Sequence, residues 1–183
     1  MLRYKLKLFV LTILLLAGPA TARAQSNRSV YTSLEPKQCR AIKTAKSGAE
    51  DYEGRCRGVG GYTLVVSEGD LRQNVTVVTS RGTKHSLDLW DVISGGFSSV
   101  SPKAEWRMAM QNGKLAPVAL IIRYNANEDP EQPNKLSSYL AVSKITATEI
   151  CVTDKVSPGP GANEDARRAA DSAATKPCLK TRN

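Results

Sequence analysis

The chain has a single histidine, His85, so any catalysis that needs an imidazole base would have to use this side chain. Ser86, Asp88 and Asp91, which could complete a Ser-His-Asp set, lie close to it in the sequence. Successive side chains of a strand point to opposite faces, so Ser86 would point away from His85. The chain also lacks the G-x-S-x-G motif of a nucleophile elbow. We therefore predict a partly exposed strand histidine without a catalytic role.

Carboxylates are the other residue type that could support catalysis, because a glycoside hydrolase needs two carboxyl groups roughly 5–10 Å apart. Glu105 is the candidate acid: the hairpin register derived below sets it opposite Leu120, and apolar neighbours raise the pKa of a carboxyl, as a general acid requires. The alternative is that Glu105 forms an ion pair with Arg107 on the same face of the strand. The sequence alone brings no two carboxylates together. The remaining candidates are Glu35, Glu68, Asp70, Asp88 and Asp91.

The four cysteines, Cys39, Cys56, Cys151 and Cys178, have the number and spacing of a disulfide framework. In an exported chain an even count predicts two bridges, for which three connectivities are possible. We favour Cys39–Cys56 and Cys151–Cys178, because each bridge would tie a terminal segment of low structural propensity to the body of the protein. A zinc site would need closely spaced pairs such as C-x2-C, and none is present. We predict no metal ion and no other cofactor.

Basic residues are concentrated around the first cysteine pair. The segment 34–57 has no clean hydrophobic periodicity and carries more basic than acidic side chains. A Cys39–Cys56 bridge would hold these cations on one surface, where arginine can bind phosphate or carboxylate groups bidentately. The alternative is an ordinary solvated loop. The candidate anion-binding residues are Lys37, Arg40, Lys43, Lys46, Arg55 and Arg57.

The amino-terminal residues have the pattern of a secretory signal peptide. Positive charges at Arg3, Lys5 and Lys7 precede an apolar run over 8–16, and 22–24 is a small-x-small cleavage site. The apolar run is shorter than the ~20 residues that span a bilayer, and no second such run follows. We therefore predict a signal peptide over 1–24 and a single exported, soluble domain over 25–183, in the periplasm or outside the cell.

The charge of the mature chain is modest. The full chain of 183 residues has 26 basic and 17 acidic residues, and the predicted signal peptide contains four of the basic ones and no acidic one. Removal of residues 1–24 leaves 159 residues with a net charge of +5. This excess affects solubility and adhesion to anionic surfaces, but it falls short of the dense basic pattern of a nucleic-acid-binding protein.

A β-hairpin over 104–126 organises the predicted fold. Asn112 and Gly113 favour a two-residue turn, because both central residues of a type I′ turn need a positive φ. Counting from this turn sets Trp106 opposite Ala119 and places Pro117 opposite Met108, where its missing N–H points away from the first strand. The far side of the second strand should then be unpaired or bulged near Pro117. The following run, 118–122, is apolar without alternation, which indicates a strand covered on both faces.

Other short apolar or alternating runs predict strands at 63–66, 74–79, 85–89, 138–145 and 150–152, with turn residues between them. Recurring strands with short connections indicate a mainly β fold, an antiparallel β-sandwich or barrel-like domain. A C-terminal helix is predicted over 163–175, capped by Asn163 and supported by Glu164/Arg168 and Arg167/Asp171 pairs. Residues 26–30 are predicted to be a flexible leader.

Several segments together resemble a group of small, uncharacterised exported proteobacterial proteins. They are 31–34 before Cys39, 56–62 with its glycines, 104–107, 138–140, 151–155 and the helix 163–171. The resemblance implies secretion and a bacterial source. The group has no assigned activity, so the resemblance transfers no site residue.

The favoured functional prediction is a non-catalytic binding module of the bacterial envelope. Its rigid sheet would present loops, including the basic loop, to an anionic envelope component or to a partner protein. One alternative is a carboxylate-dependent cell-envelope hydrolase with Glu105 as its acid. Another is an inhibitor of a lytic enzyme, although a basic inhibitor would be repelled by lytic enzymes that are themselves basic.

Overall fold

The computed structural model describes residues 27–43 and 52–181. The predicted signal peptide and Lys46 lie outside these residues, so the structure does not test them. Within them, no helix is long and apolar enough to cross a membrane. The strands are β1 (Arg28–Ser33), β2 (Arg40–Lys43), β3 (Tyr52–Arg57), β4 (Thr63–Gly69), β5 (Arg72–Val78), β6 (Lys84–Ser86), β7 (Ser98–Gln111), β8 (Lys114–Asn127), β9 (Leu136–Ile145) and β10 (Ile150–Val156), and the helices are α1 (Leu89–Val92) and α2 (Ala162–Asp171).

The mainly β fold with a C-terminal helix is confirmed, and the described strands form one ten-stranded sheet. Its order is β10-β9-β8-β7-β5-β4-β3-β2, with β1 added beside β7 and β6 beside β5. Every pairing is antiparallel except the contact of β5 with β7, where Arg72 pairs with Ser98 in parallel. The sheet is therefore mixed, because the chain crosses from β6 through α1 before it enters β7.

The central hairpin is β7–β8, with positive φ angles of 50° at Asn112 and 74° at Gly113. Met108 pairs with Pro117 as predicted. Beyond this pair a β-bulge leaves Val118 without a partner in β7, so Trp106 lies opposite Leu120 rather than Ala119. The pairing of β8 with β9 begins only at Ala119, which confirms the prediction of an unpaired or bulged strand near Pro117.

β8 is covered on both faces, as its continuous apolar run predicted. Leu120 and Ile122 belong to the main core with Trp106, between β7–β10 on one side and β3–β5 on the other. Ala119 and Ile121 point to the opposite face and pack against Ala residues of α2. The two halves of the sheet, β2–β6 and β7–β10, thus enclose the main core, and α2 covers the outer face of the β7–β10 half. Among the described residues, no helix covers the outer face of the β2–β6 half in the same way.

The C-terminal helix begins at Ala162, and a 3-10 turn at Ala173–Thr175 continues it. Its N-cap is Gly161 with φ 79°, so the prediction of an Asn163 cap is wrong. The Asn163 side chain instead accepts a hydrogen bond from Arg123 at 2.8 Å. The helix charges also pair differently from the prediction: the observed i,i+3 pairs are Arg167 with Glu164 and Arg168 with Asp165.

Residues 28–30, 40–43 and 52–57 lie in strands, which corrects the predictions of a flexible leader at 26–30 and of a loop over 34–57; Ser26 and residues 44–51 lie outside the described residues. Arg28 opens β1, which pairs with the middle of β7, from Met108 to Lys103. β2 and β3 pair with each other at the edge of the sheet. The predicted disulfides Cys39–Cys56 and Cys151–Cys178 are both confirmed. The first joins β3 to the start of β2, and the second holds the segment after α2 against β10.

Candidate functional site

Three of the predicted anion-binding residues share one exposed face of the sheet. Arg40 in β2 lies directly opposite Arg55 in β3, and Arg57 follows two residues later. Opposed residues in neighbouring strands, and residues two apart in one strand, point to the same side. Cys56, between the two β3 arginines, points the other way into the core. We call the exposed cluster of Arg40, Arg55 and Arg57 the arginine surface.

The Cys39–Cys56 disulfide fixes the arginine surface. Cys39 directly precedes Arg40, and Cys56 separates Arg55 from Arg57, so one covalent bond lies beside all three. β2 has only four residues and pairs with a single described neighbour, β3. A short edge strand has few hydrogen bonds to hold its position. The bridge therefore supplies the constraint that keeps Arg40 opposite Arg55.

The three guanidinium groups form no ion pair within residues 27–43 and 52–181, although Glu53 lies on the same face of β3, two residues before Arg55. None of them makes a hydrogen bond or ion pair with another described residue. The nearest carboxylate along their face is Glu53, whose backbone lies opposite Lys43. Like charges placed directly across two strands destabilise a sheet, so the Arg40–Arg55 pair has an unfavourable electrostatic energy that an anion would relieve.

The other candidate cations are less closely grouped. Lys37 is exposed in the 3-10 turn Pro36–Gln38, just before Cys39. The backbone of Lys43 pairs with Glu53 at the end of β2, and Lys46 lies outside the described residues. The structure thus brings the three arginines of the candidate set together on one face. Anion binding by the three lysines stays a prediction.

The same face of the sheet continues from the arginine surface to a groove of about 640 Å³. In β4 and β5 the core residues are Leu64, Val66, Val75 and Val77, so Ser67 and Asn74 face outwards. The exposed Trp90 of α1 also lines this groove. Sequence reasoning missed the groove, although the hydrophobic pattern around Trp90, with Leu89 and Ile93 buried beside it, carries a signal for an exposed aromatic residue.

Glu105 lies under the C-terminal helix, away from the arginine surface. Its carboxylate accepts hydrogen bonds from Arg167 Nε at 2.7 Å and Ser29 Oγ at 2.5 Å. Burial acts to raise the pKa of Glu105, but the hydrogen bonds from Arg167 and Ser29 and the positive charge of Arg167 outweigh it and lower the pKa below 4.5. Glu105 is therefore ionised at neutral pH, the opposite of what a general acid needs.

The predicted Glu105–Arg107 ion pair is also wrong. Arg107 binds both carboxylate oxygens of Asp171 in α2, at 2.8 and 2.9 Å. Arg107 also donates to Ser29 Oγ at 2.6 Å, so this serine lies between the two pairs. Glu105 and Arg107 thus do not pair with each other. Their ion pairs with α2 and their hydrogen bonds with Ser29 hold the helix and β1 against the sheet.

We expect a Glu105→Gln variant to be about 1–2 kcal/mol less stable at neutral pH, since it loses a charge-assisted pair. Because the folded-state pKa lies below 4.5, ionised Glu105 stabilises the protein above that pH, and the contribution disappears as pH falls through the lowered value. The difference between variant and wild type should therefore shrink in acid, measured by urea denaturation at several pH values. Asp165→Asn, at the exposed Asp165–Arg168 pair of α2, is the control, because it does not involve Arg167. A constant difference across pH would contradict the assignment.

The remaining residues with catalytic or ligand chemistry do not assemble into a site. His85 lies in β6 opposite Val77, and its side chain makes no hydrogen bond within the described part of the chain. Ser86 Oγ bonds instead to Asp88, at 2.5 Å. Ligand atoms of Glu149, Cys151 and Cys178 lie within 4.8 Å of one another. Both sulfur atoms of that group belong to a disulfide, so they are not thiolate ligands.

Comparison of the chain with protein-family models, with curated proteins and with solved structures finds no match. The residues and their geometry are therefore the basis for a functional proposal.

Proposed function

We propose that this protein is an exported, non-catalytic binding module that recognises an anionic component of the bacterial envelope through the arginine surface. The observation that carries the proposal is the placement of Arg40, Arg55 and Arg57 on one exposed face without an acidic partner among the described residues. Such a cluster has an unfavourable energy when empty and a favourable one when phosphate or carboxylate groups bind to it.

The arginine surface is also suited to binding because it is held in place before a ligand arrives. The Cys39–Cys56 bond restrains β2, and Cys56 is anchored in the core beside Leu64. A ligand then orders fewer side chains and less backbone when it binds, which reduces the entropic cost of association. Guanidinium groups add specificity for planar oxyanions, because each can donate two parallel hydrogen bonds.

Export agrees with this proposal. Two disulfides fit an oxidising location, extracellular or periplasmic. Residues 1–24 have the charged start, apolar run and cleavage site of a signal peptide, and the resemblance to small exported proteobacterial proteins supports the same location. The hydrolase alternative loses its candidate acid, because Glu105 is ionised and paired under α2.

The proposal predicts that a triple Arg40→Ser/Arg55→Ser/Arg57→Ser variant binds polyanions at least about tenfold more weakly than wild type, since charge-assisted hydrogen bonds each contribute more than about 1.4 kcal/mol. The mature chain, residues 25–183, would be titrated with inorganic polyphosphate and with polygalacturonate at low salt. These probes carry phosphate and carboxylate groups respectively, so the comparison covers both anion classes.

A variant of equal charge is the matched control: Lys114→Ser/Lys135→Ser/Lys180→Ser removes three exposed cations from other parts of the surface. We expect it to bind within about twofold of wild type, because exposed charges far from the ligand are screened. Equal losses in the two triple variants would show that net charge alone drives binding. The proposal would also be contradicted if wild type bound neither probe. Capture of an envelope protein whose binding persists in high salt would contradict it as well.

A further inference from the structure

The outer face of the β2–β6 half-sheet connects the arginine surface to the groove beside α1. Arg55 lies opposite Val65 in β4, and Ser67, two residues along β4, lies opposite Asn74 in β5. All these residues share the outer face, because Leu64 and Val66 point into the core. Neighbouring strands are about 4.8 Å apart and each residue advances about 3.3 Å along a strand, so Arg55 lies about 12 Å and Arg57 about 16 Å from Asn74 on the β5 side of the groove. One extended ligand can therefore span both.

The groove combines an aromatic wall with fixed polar groups. Trp90 is 46% exposed and stands on a one-turn helix whose Leu89 and Ile93 are fully buried. The core thus holds the backbone on either side of the indole. The volume of about 640 Å³ is within the range of sites that accept a small organic ligand. The polar residues of the lining are Ser67, Asp70, Arg72, Asn74 and Asp91.

These polar groups are positioned before a ligand binds. Arg72 donates to the carbonyl oxygen of Gly95 at 2.9 Å and pairs with Asp70. Asn74 donates to Ser86 Oγ at 2.8 Å and accepts from the Leu89 backbone N–H at 3.0 Å. The lining holds one guanidinium, Arg72, and two carboxylates, Asp70 and Asp91, so the groove offers acceptors for the hydroxyl groups of a sugar, whereas the arginine surface suits its acidic groups.

The rim of the groove contains an unusual turn residue. Asp70 and Leu71 form the two-residue β4–β5 turn with φ angles of 51° and 57°, a left-handed conformation that normally selects Gly or Asn. Leu71 is 49% exposed despite its apolar side chain. Neither the conformation nor the exposure favours leucine for stability. A backbone position of this kind beside a groove is typical of a binding site.

We infer that this face binds an acidic polysaccharide, with one sugar ring packed on Trp90 in the groove and the acidic groups of neighbouring units on the arginine surface. The inference rests on the proposed function and names its ligand class. A pyranose presents an apolar face of C–H groups that packs on an indole ring, while its hydroxyl groups can donate hydrogen bonds to carboxylates such as the largely exposed Asp70.

The test compares Trp90→Ala with wild type on three probes: polygalacturonate, inorganic polyphosphate and a neutral glucan. We expect the substitution to weaken polygalacturonate binding about fivefold or more and to leave polyphosphate binding within about twofold, since only the former supplies a ring for the indole. Wild type should bind the neutral glucan far more weakly than polygalacturonate. Met110→Ala, which truncates an equally exposed side chain (47%) at the tip of β7, should leave all three affinities unchanged.

Intrinsic fluorescence gives a second readout, because an indole covered by a sugar changes its emission and the buried Trp106 does not. The wild-type emission should shift on saturation with polygalacturonate and stay constant in Trp90→Ala. If Trp90→Ala binds polygalacturonate like wild type, or loses both polyanions equally, the inference is overturned while the arginine surface stands. Equal binding of the neutral glucan would overturn the acidic class. If wild type bound neither polygalacturonate nor polyphosphate, the proposed function itself would be refuted.

Discussion

Replacement of the Cys39–Cys56 bridge by two serines is expected to lower the free energy of unfolding by about 3 kcal/mol and to weaken polyphosphate binding about tenfold. The bridge closes a loop with a sequence separation of 17. In the chain-entropy description, a loop of this length corresponds to about 3 kcal/mol of stabilisation. Binding should fall as well, because β2 is a short edge strand and Arg40 is presented directly after the bridge.

The second disulfide is the matched control for this prediction. Cys151–Cys178 has a sequence separation of 27, so its replacement should cost a similar ~3 kcal/mol. It holds the C-terminal segment against β10, where Leu179 donates a backbone hydrogen bond to Val152 at 2.8 Å. We therefore expect its loss to reduce stability without changing polyphosphate affinity. Urea denaturation and a binding titration, performed on both double-serine variants at a temperature where each is folded, would check the pair.

Equal effects of the two bridges on affinity would contradict the idea that Cys39–Cys56 specifically orders the arginine surface. So would unchanged affinity in the Cys39→Ser/Cys56→Ser variant, provided that the variant is folded. In either case the arginines could still bind anions, but their arrangement would not depend on the covalent bond.

Truncation of Trp106 to alanine should cost about 3–5 kcal/mol, the range for removal of a large buried aromatic side chain. Trp106 is fully buried at the centre of the main core, and its Nε1 donates to Thr32 Oγ1 at 2.8 Å. Its ring also lies 6.2 Å from that of Tyr62, centroid to centroid. The substitution therefore removes core contacts and also leaves the β1 hydroxyl without this donor.

The other tryptophan provides a direct comparison. Trp90→Ala should change the free energy of unfolding by less than about 0.5 kcal/mol, as is usual for exposed positions, because its side chain is 46% exposed. Urea denaturation followed by far-ultraviolet circular dichroism measures both variants without depending on tryptophan emission. A small effect of Trp106→Ala would contradict the observed core, and a large effect of Trp90→Ala would assign that residue a structural role.

Local signals in the sequence were sufficient for much of this fold. Asn112-Gly113 predicted the central hairpin because its turn conformation needs those residue types. The even number of cysteines predicted two bridges, and the expectation that each bridge ties a terminal segment to the body favoured the observed pairing. The apolar run after Pro117 indicated a strand covered on both faces, and the structure shows the core on one side and α2 on the other. These features are encoded within short stretches of chain.

Features that depend on tertiary contacts could not be predicted in the same way. Pro117 predicted an irregular strand at this point, but it did not predict that the bulge at Val118 would move Trp106 by one position in its pairing. β1 was missed because its sequence is polar and it is ordered by the edge of β7 and by the Ser29–Glu105 hydrogen bond. Likewise, the ion pairs of Glu105 and Arg107 depend on where α2 packs.

The candidate site was predicted only in part, for a related reason. The sequence indicated that Arg40, Arg55 and Arg57 would lie near one another if the first disulfide formed. It did not indicate that β2 and β3 pair so that two of these residues are directly opposed. Nor did it indicate the groove, which is assembled from the β4–β5 turn and α1, elements separated in the sequence by β5 and β6.

The most direct test of the arginine surface is the salt dependence of polyphosphate binding. The affinity of the mature chain should be measured between about 50 and about 500 mM NaCl, a range over which electrostatic screening increases strongly. We predict a steep linear fall in log affinity against log salt, and a slope smaller by about 2–3 in the Arg40→Ser/Arg55→Ser/Arg57→Ser variant, because each arginine displaces about one counterion. Binding that is insensitive to salt, or a slope that the triple substitution leaves unchanged, would contradict the proposal that these three arginines form the anion-binding surface.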